Sequence, residues 1–128
     1  MNAKKLKNMN KKTLVIGASS NPERYSNMAM NSLVNKGHAI ETLGKKPDWV
    51  MDKAIETEPK AYQDIDTITL YINKMNQKPY YDYMVSLKPK RVIFNPGAEN
   101  DELAQILIKN NIKAVEACTL VMLSTGQF

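Results

Sequence analysis

The residues best suited to chemistry stand in one short stretch, Gly17-Ala18-Ser19-Ser20-Asn21-Pro22-Glu23-Arg24. Gly17 has no Cβ, so the backbone there can turn sharply or let a ligand approach closely. Ser19, Ser20 and Asn21 are good N-cap residues, and Pro22 suits a first helical turn. A helix starting here would leave unpaired N–H groups at the positive end of its dipole, a common place to hold a phosphate. The stretch is not G-x-G-x-x-G, because the second and third glycines are missing. An ordinary strand-to-helix turn is therefore the alternative. Arg24 is either a plain surface cation or a planar fork for a phosphate.

Other chemistry-bearing residues are few. Lys45-Lys46 follow Gly44, and the chain has one histidine, His38, and one cysteine, Cys118. His38 has no positioned partner in the sequence and is not assigned as an acid or base. One histidine and one cysteine are a poor start for a zinc site. A single cysteine excludes an intrachain disulfide framework, and such a residue is more often buried and apolar than reactive. No nucleophile–base pair is visible, so no catalytic residue and no metal are assigned.

The elements that must position these residues follow from the apolar pattern. Leu14-Val15-Ile16 is a run without polar alternation, as in a parallel strand covered on both faces. Residues 23–36 are expected to be a helix with Met28, Leu33 and Val34 inward, closed by Gly37. Residues 39–43 form the second strand, closed by Gly44. Trp49, Val50 and Met51 are expected as a cover, and 54–57 as a short edge strand. Residues 67–72 are a strand rich in β-branched residues. A helix over 78–88 puts Tyr80, Tyr83, Met84 and Leu87 on one face. Residues 91–94 are the next strand, ending in Asn95-Pro96-Gly97. A helix capped near Asn100 has Leu103, Ile106 and Leu107 inward. A last strand at 112–115 leads through Cys118 to a short helix from Thr119.

This alternation demands a parallel sheet with helices on both faces. The expected fold is α/β and Rossmann-like: a doubly wound, mostly parallel five-stranded sheet of order 3-2-1-4-5. Gly17, Gly44 and Gly97 each fall just after a strand, which is the ligand-facing edge of such a sheet.

Composition sets bounds. The 128 residues are 43% hydrophobic and 24% charged, ordinary for a soluble domain. The net charge of +5 comes from residues 1–12, which hold five lysines and no acid. The remainder is neutral, so neither nucleic acid nor membrane is expected as a partner. Residues 1–11 are expected to be a flexible basic tail, and 12–128 the domain. The tail lacks the apolar core of a signal peptide, and no 18-residue apolar run exists, so a cytoplasmic location is expected.

A nucleotide-like ligand is the first expectation from this fold. An NAD site usually has an acid at the end of the second strand. Here Lys45-Lys46 stand there, which argues against NAD and leaves a phosphorylated ribose open, as in NADP or coenzyme A.

Gly17-Ala18-Ser19, Asn21-Pro22-Glu23-Arg24, Ser26, Phe94-Asn95-Pro96-Gly97-Ala98-Glu99-Asn100 and Cys118 together resemble the small stand-alone CoA-binding proteins. Those are similar to the CoA-binding Rossmann domain of succinyl-CoA synthetase. The resemblance runs from Lys11 over nearly the whole chain. It implies CoA held across the carboxyl ends of the strands. Gly17, Ala18 and Ser19 would meet the pyrophosphate through backbone N–H groups, with Asn21, Arg24 and Ser26 lining the same mouth. Asn95, Pro96 and Gly97 would shape the far side, towards the pantetheine arm, and Cys118 joins the site on the same ground. Family members often carry an Asn-Pro pair after the second strand, where this chain has Gly44-Lys45-Lys46-Pro47. The resulting expectation is a protein that binds CoA or an acyl-CoA, non-catalytic or regulatory. A small NADP-dependent oxidoreductase and a protein-interaction module with a vestigial pocket are the alternatives.

Overall fold

The computed structural model describes residues 10–128. The expectation for the basic tail falls mostly on residues 1–9, outside the described residues. Asn10 and Lys11 are tied in: the Asn10 side-chain oxygen accepts from the Ala39 amide at 2.9 Å, and the Lys11 amide donates to His38 Nδ1 at 2.9 Å.

Seven strands and four α-helices occur among the described residues. The strands are β1 (Thr13–Ile16), β2 (Ile40–Leu43), β3 (Trp49–Val50), β4 (Lys53–Ala54), β5 (Thr67–Leu70), β6 (Arg91–Phe94) and β7 (Lys113–Glu116). The helices are α1 (Tyr25–Asn35), α2 (Tyr81–Ser86), α3 (Asp101–Lys109) and α4 (Thr119–Ser124). Five strands form one sheet in the order β2-β1-β5-β6-β7, every neighbouring pair parallel. This is the expected Rossmann-like layout, with different numbering. The segment counted as outer strand 3 contributes only one parallel bridge, Leu43 to Glu56, and β7 completes the five. Instead β3 and β4 pair with each other as a small antiparallel hairpin.

The strands are buried because both faces are covered. Leu14, Ile16, Ile68, Leu70, Val92 and Phe94 meet Met84 of α2 and Leu103 and Leu107 of α3. Val15 meets Met30 and Leu33 of α1, Val50, Ile55, and Leu123 of α4. Fully burying a side chain of this size stabilises the fold by about 1.5–3 kcal/mol. Threonines that share these strands have their hydroxyls engaged, as where Thr69 pairs with Thr119 at 2.8 Å and Thr42 donates to the Ala54 carbonyl at 2.9 Å.

Three expectations are corrected. Helix α1 begins at Tyr25, two residues later than expected, and its N-cap is Arg24, with no side-chain cap. Its inner face is Ala29, Met30 and Leu33, while Met28 and Val34 are exposed. Residues 78–88 are not one helix. Two 3₁₀ turns, Lys74–Asn76 and Lys78–Tyr80, precede a short α2, and Pro79 sits in the second of them. Proline has no N–H to donate, which favours a start there over a helix interior. At α3 the Asn100 cap is as expected, its side-chain oxygen accepting from the Leu103 amide at 3.2 Å.

His38 lies at the amino edge of the sheet, opposite the carboxyl ends of the strands. The Lys11 amide can only donate, so Nδ1 must be the unprotonated nitrogen. The Phe128 ring packs against the imidazole at 5.0 Å, and Arg91 Cζ lies 4.4 Å from the same ring. Burial, then Lys11, then Arg91 hold the His38 pKa below its usual value, against a small opposing effect of Asp66. The folded protein thus disfavours the imidazolium that the unfolded chain accepts near pH 6.5. Stability from this site is present above that pH and is lost as pH falls through the lowered folded value. His38→Asn keeps an acceptor for Lys11 without the titration. Thermal melts at pH 8 and pH 5.5 should show a larger acid loss in the parent than in the variant; equal or reversed losses contradict the assignment.

Candidate functional site

The strand β1 ends where the chain must turn within one residue. Gly17 adopts φ +96°, which L side chains rarely tolerate, and a Cβ there would stand 3.0 Å from the Tyr71 carbonyl carbon. Gly44, at the end of β2, is constrained by space instead. A Cβ on it would lie 2.5 Å from the Ala18 carbonyl oxygen and 2.8 Å from Ile55 Cγ2. Gly17 lets the end of β1 close on the segment after β5, and Gly44 lets the end of β2 close on the turn after β1. The Leu43 carbonyl then accepts from both the Gly17 and Ala18 amides, at 2.8 and 3.0 Å.

Beyond these turns lies a cleft of about 690 Å³ across the carboxyl ends of the strands. Of the residues singled out in the sequence, Gly17, Ala18, Ser19, Asn21, Arg24, Ser26, Lys45, Lys46, Pro96 and Gly97 line it. Asn95 and Cys118 do not. Asn95 is buried, donating to Thr69 Oγ1 at 2.7 Å and the Leu70 carbonyl at 2.8 Å, and accepting from the Thr119 amide at 2.9 Å. It holds the loop before Pro96-Gly97 rather than facing the cleft. Cys118 is the half-buried N-cap residue of α4.

The donors differ from those expected. Gly17 and Ala18 amides are already engaged by Leu43. Ser19 and Asn21 stiffen the turn with their own side chains: Ser19 Oγ accepts from the Asn21 amide at 3.1 Å, and Asn21 Oδ1 from the Glu23 amide at 3.0 Å. Asn27 Nδ2 donates to the Ser19 carbonyl at 2.9 Å, tying the turn to α1. Among the described residues, the Ser19 and Ser20 amides have no protein acceptor. The first turn of α1 has no capping side chain either. Open amides at an uncapped helix start attract anions, and the helix dipole adds to the effect. Arg24, Lys45 and Lys46 surround this region with positive charge.

Nine lining residues were not assigned to the site in the sequence, among them Ser20, Asp48, Tyr71, Asn73 and Asn76. Asp48 accepts from Ser20 Oγ at 2.6 Å and from the Trp49 amide at 2.8 Å, and these bonds hold its carboxyl below the usual range. The Ser20–Asp48 bond joins the turn after β1 to the segment after β2. Tyr71, Asn73 and Asn76 follow β5, and placing the end of that strand at Leu70 would have exposed them as edge residues. The Tyr71 hydroxyl is buried beside Thr69 and Thr119. Those two hydroxyls pair with each other, leaving the phenol without a partner among the described residues. Burial pushes its pKa up to about 12.

The sequence model of a family described as CoA binding domain matches residues 11–124. No curated protein matches the chain. Among solved structures, an uncharacterized protein is 50% identical, with a TM-score of 0.91, covering 93% of this chain and 98% of that one. The cell-free ID.343 protein of Thermus thermophilus is 17% identical, with a TM-score of 0.78 over the whole of both chains. Dinucleotide-forming acetyl-coenzyme A synthetase 1 of Ca. Korarchaeum cryptofilum is 15% identical, with a TM-score of 0.68; 86% of this chain matches 26% of that one. The last two likenesses are of fold.

The contact at Gly44 gives a direct test of how the cleft is built. Gly44→Ala should cost about 1–3 kcal/mol, the usual size of an overpacking penalty. That corresponds to a fall of several degrees in Tm. Lys46→Ala, an exposed neighbour, should stay within ~0.5 kcal/mol of the parent. Equal melting of all three proteins would show that the two strand ends are not held in this contact.

Proposed function

The chain belongs to the CoA-binding domain family, and from that premise we propose that it binds coenzyme A or an acyl-CoA across the carboxyl edge of its sheet, as a binding or regulatory protein rather than an enzyme. The observation that carries the proposal is the set of open amides at Ser19, Ser20 and the start of α1, in one cleft with Arg24, Lys45 and Lys46. None of the three cations is in a salt bridge among the described residues. One acid, Asp48, also lines the cleft, and it accepts hydrogen bonds at both oxygens.

The parts of the ligand divide naturally over this surface. The pyrophosphate would lie against the Ser19 and Ser20 amides and the α1 dipole, with Arg24 as a charged fork. Lys45 and Lys46 would meet the 3′-phosphate of the ribose. Pro96 and Gly97 would flank the pantetheine arm. The fold shared with part of an acetyl-coenzyme A synthetase is in keeping with such a ligand. The non-catalytic reading is supported by what lines the cleft. Among the described residues, the side chains that line it include neither histidine nor cysteine, and His38 is bonded to Lys11 at the opposite edge.

Lys45 and Lys46 would suit the 2′-phosphate of NADP as well, which makes an NADP-dependent reductase the second reading. A thermal-shift screen separates the two. A ligand at ~100 times its Kd should stabilise the folded state by about 2.7 kcal/mol. For a domain of this size that is several degrees. CoA and acetyl-CoA should raise Tm, and NAD should leave it unchanged. Arg24→Ala should reduce the CoA shift. Lys45→Ala combined with Lys46→Ala should weaken CoA more than dephospho-CoA. A response to NADP with none to CoA would overturn the proposal in favour of the reductase, and no response to any of the four would favour an interaction module.

A further inference from the structure

The wall of the cleft on the β5–β6 side is held by one buried amide that does not itself line the cleft. Gln77 follows the first 3₁₀ turn and is fully buried. Its Nε2 donates to two carbonyls at once, Ile72 at 3.0 Å and Ala98 at 2.8 Å. Ile72 belongs to the loop after β5 and Ala98 to the loop after β6, and both line the cleft. Gln77 Oε1 accepts from Asn100 Nδ2 at 2.9 Å. That same nitrogen donates to the Tyr81 hydroxyl at 2.7 Å, while Asn100 Oδ1 caps α3 at Leu103.

This arrangement is directional. Asn100 Nδ2 is a donor, so Gln77 must present its oxygen to Asn100 and its nitrogen to the two carbonyls. Two loops and the start of α3 therefore meet on one side chain whose orientation is fixed, and the start of α2 joins them through Asn100. Buried polar groups in such a network are costly to leave unpaired, so the network admits one spacing of the loops and resists others. The loop after β6 is held at its start as well, where buried Asn95 bonds to Thr69, Leu70 and Thr119.

We infer that Gln77 is a positioning residue for the ligand: it sets the distance between the Ile72 and Ala98 loops and so determines affinity for the pantetheine arm, leaving the nucleotide end alone. The inference rests on the CoA reading above. The phosphate donors sit on the β1–α1 turn and are not bonded to Gln77, which is why the two ends of the ligand should respond differently.

The test compares CoA with adenosine 3′,5′-bisphosphate, which keeps the nucleotide end and lacks the arm, by calorimetric titration of the full chain. Two variants are used. Gln77→Met keeps the volume and removes all three bonds. Asn100→Asp keeps the α3 cap but faces Gln77 with an acceptor, forcing its amide to turn away from the carbonyls. Both should lose about tenfold or more in CoA affinity, as when a site wall loses its supporting hydrogen bonds, with bisphosphate affinity within about twofold. A variant that does not fold leaves the other to decide. Equal losses for both ligands would reduce Gln77 to a general structural residue, and no loss for either would overturn the inference. If the unaltered protein binds the bisphosphate and CoA equally, the arm has no site and the inference falls while nucleotide binding stands. If it binds neither, the CoA reading itself fails.

Discussion

One carbonyl oxygen organises the ligand-facing edge of this protein. Leu43, the last residue of β2, accepts from the amides of both Gly17 and Ala18. That bond pair requires the ends of β1 and β2 to approach more closely than side chains would allow, and Gly44 against the Ala18 carbonyl makes the approach possible. The first two amides of the turn are fixed in this way, and the next two, at Ser19 and Ser20, are left without a protein acceptor among the described residues. The same closure sets the start of α1, since Asn27 binds back to the Ser19 carbonyl. The cleft is thus a consequence of strand packing, and its donors are available before any ligand arrives.

Rigidity is distributed over the remaining walls by side chains that do not face the ligand. Ser19 and Asn21 bind within their own turn, and Ser20 reaches Asp48 across the cleft's edge. Asn95 and Gln77 fix the loops after β5 and β6. A site whose backbone donors are held in place needs little reorganisation to receive charge, which favours affinity. The same economy of side chains separates the two edges of the sheet. His38, the one histidine, serves the packing around Phe128 at the amino edge, while cations without close acidic partners gather at the carboxyl edge.

Much of this was legible in the sequence, for identifiable reasons. Leu14-Val15-Ile16 reads as a parallel strand because parallel strands are buried on both faces and lose their polar alternation. Gly17 and Gly44 mark strand ends because each follows its strand directly, and Gly97 does so because it closes the Asn95-Pro96-Gly97 turn after Phe94. The Asn100 cap is legible because a short polar side chain precedes an amphipathic stretch. The Rossmann-like layout follows from that alternation, and ten of the twelve residues singled out for the site line one cleft. What was not legible depends on choices among equivalent hydrogen bonds. Ser19, Ser20 and Asn21 are all capping types, yet the helix starts later and Arg24 takes the N-cap place. Nothing in residue type shows that Leu43 would engage the Gly17 and Ala18 amides, because that pairing depends on strands 27 residues apart in sequence. Asn95 looks like a cleft residue by position after β6, but its side chain turns inward to satisfy buried partners. Pro79 is compatible with a helix starting at Lys78, since a first-turn proline loses no intrahelical hydrogen bond, so residue type did not show that the segment opens as a 3₁₀ turn and that α2 starts only at Tyr81.

The central claim is that the Ser19 and Ser20 amides are the open donors of this edge, while those of Gly17 and Ala18 are closed by Leu43. Amide hydrogen exchange measured residue by residue, without and with saturating CoA, tests it most directly. The account predicts that Gly17 and Ala18 are protected in both conditions, and that Ser19 and Ser20 exchange readily alone and slow markedly when CoA is bound. Fast exchange at Gly17 and Ala18 in the free protein, or unchanged exchange at Ser19 and Ser20 with CoA present, would contradict it.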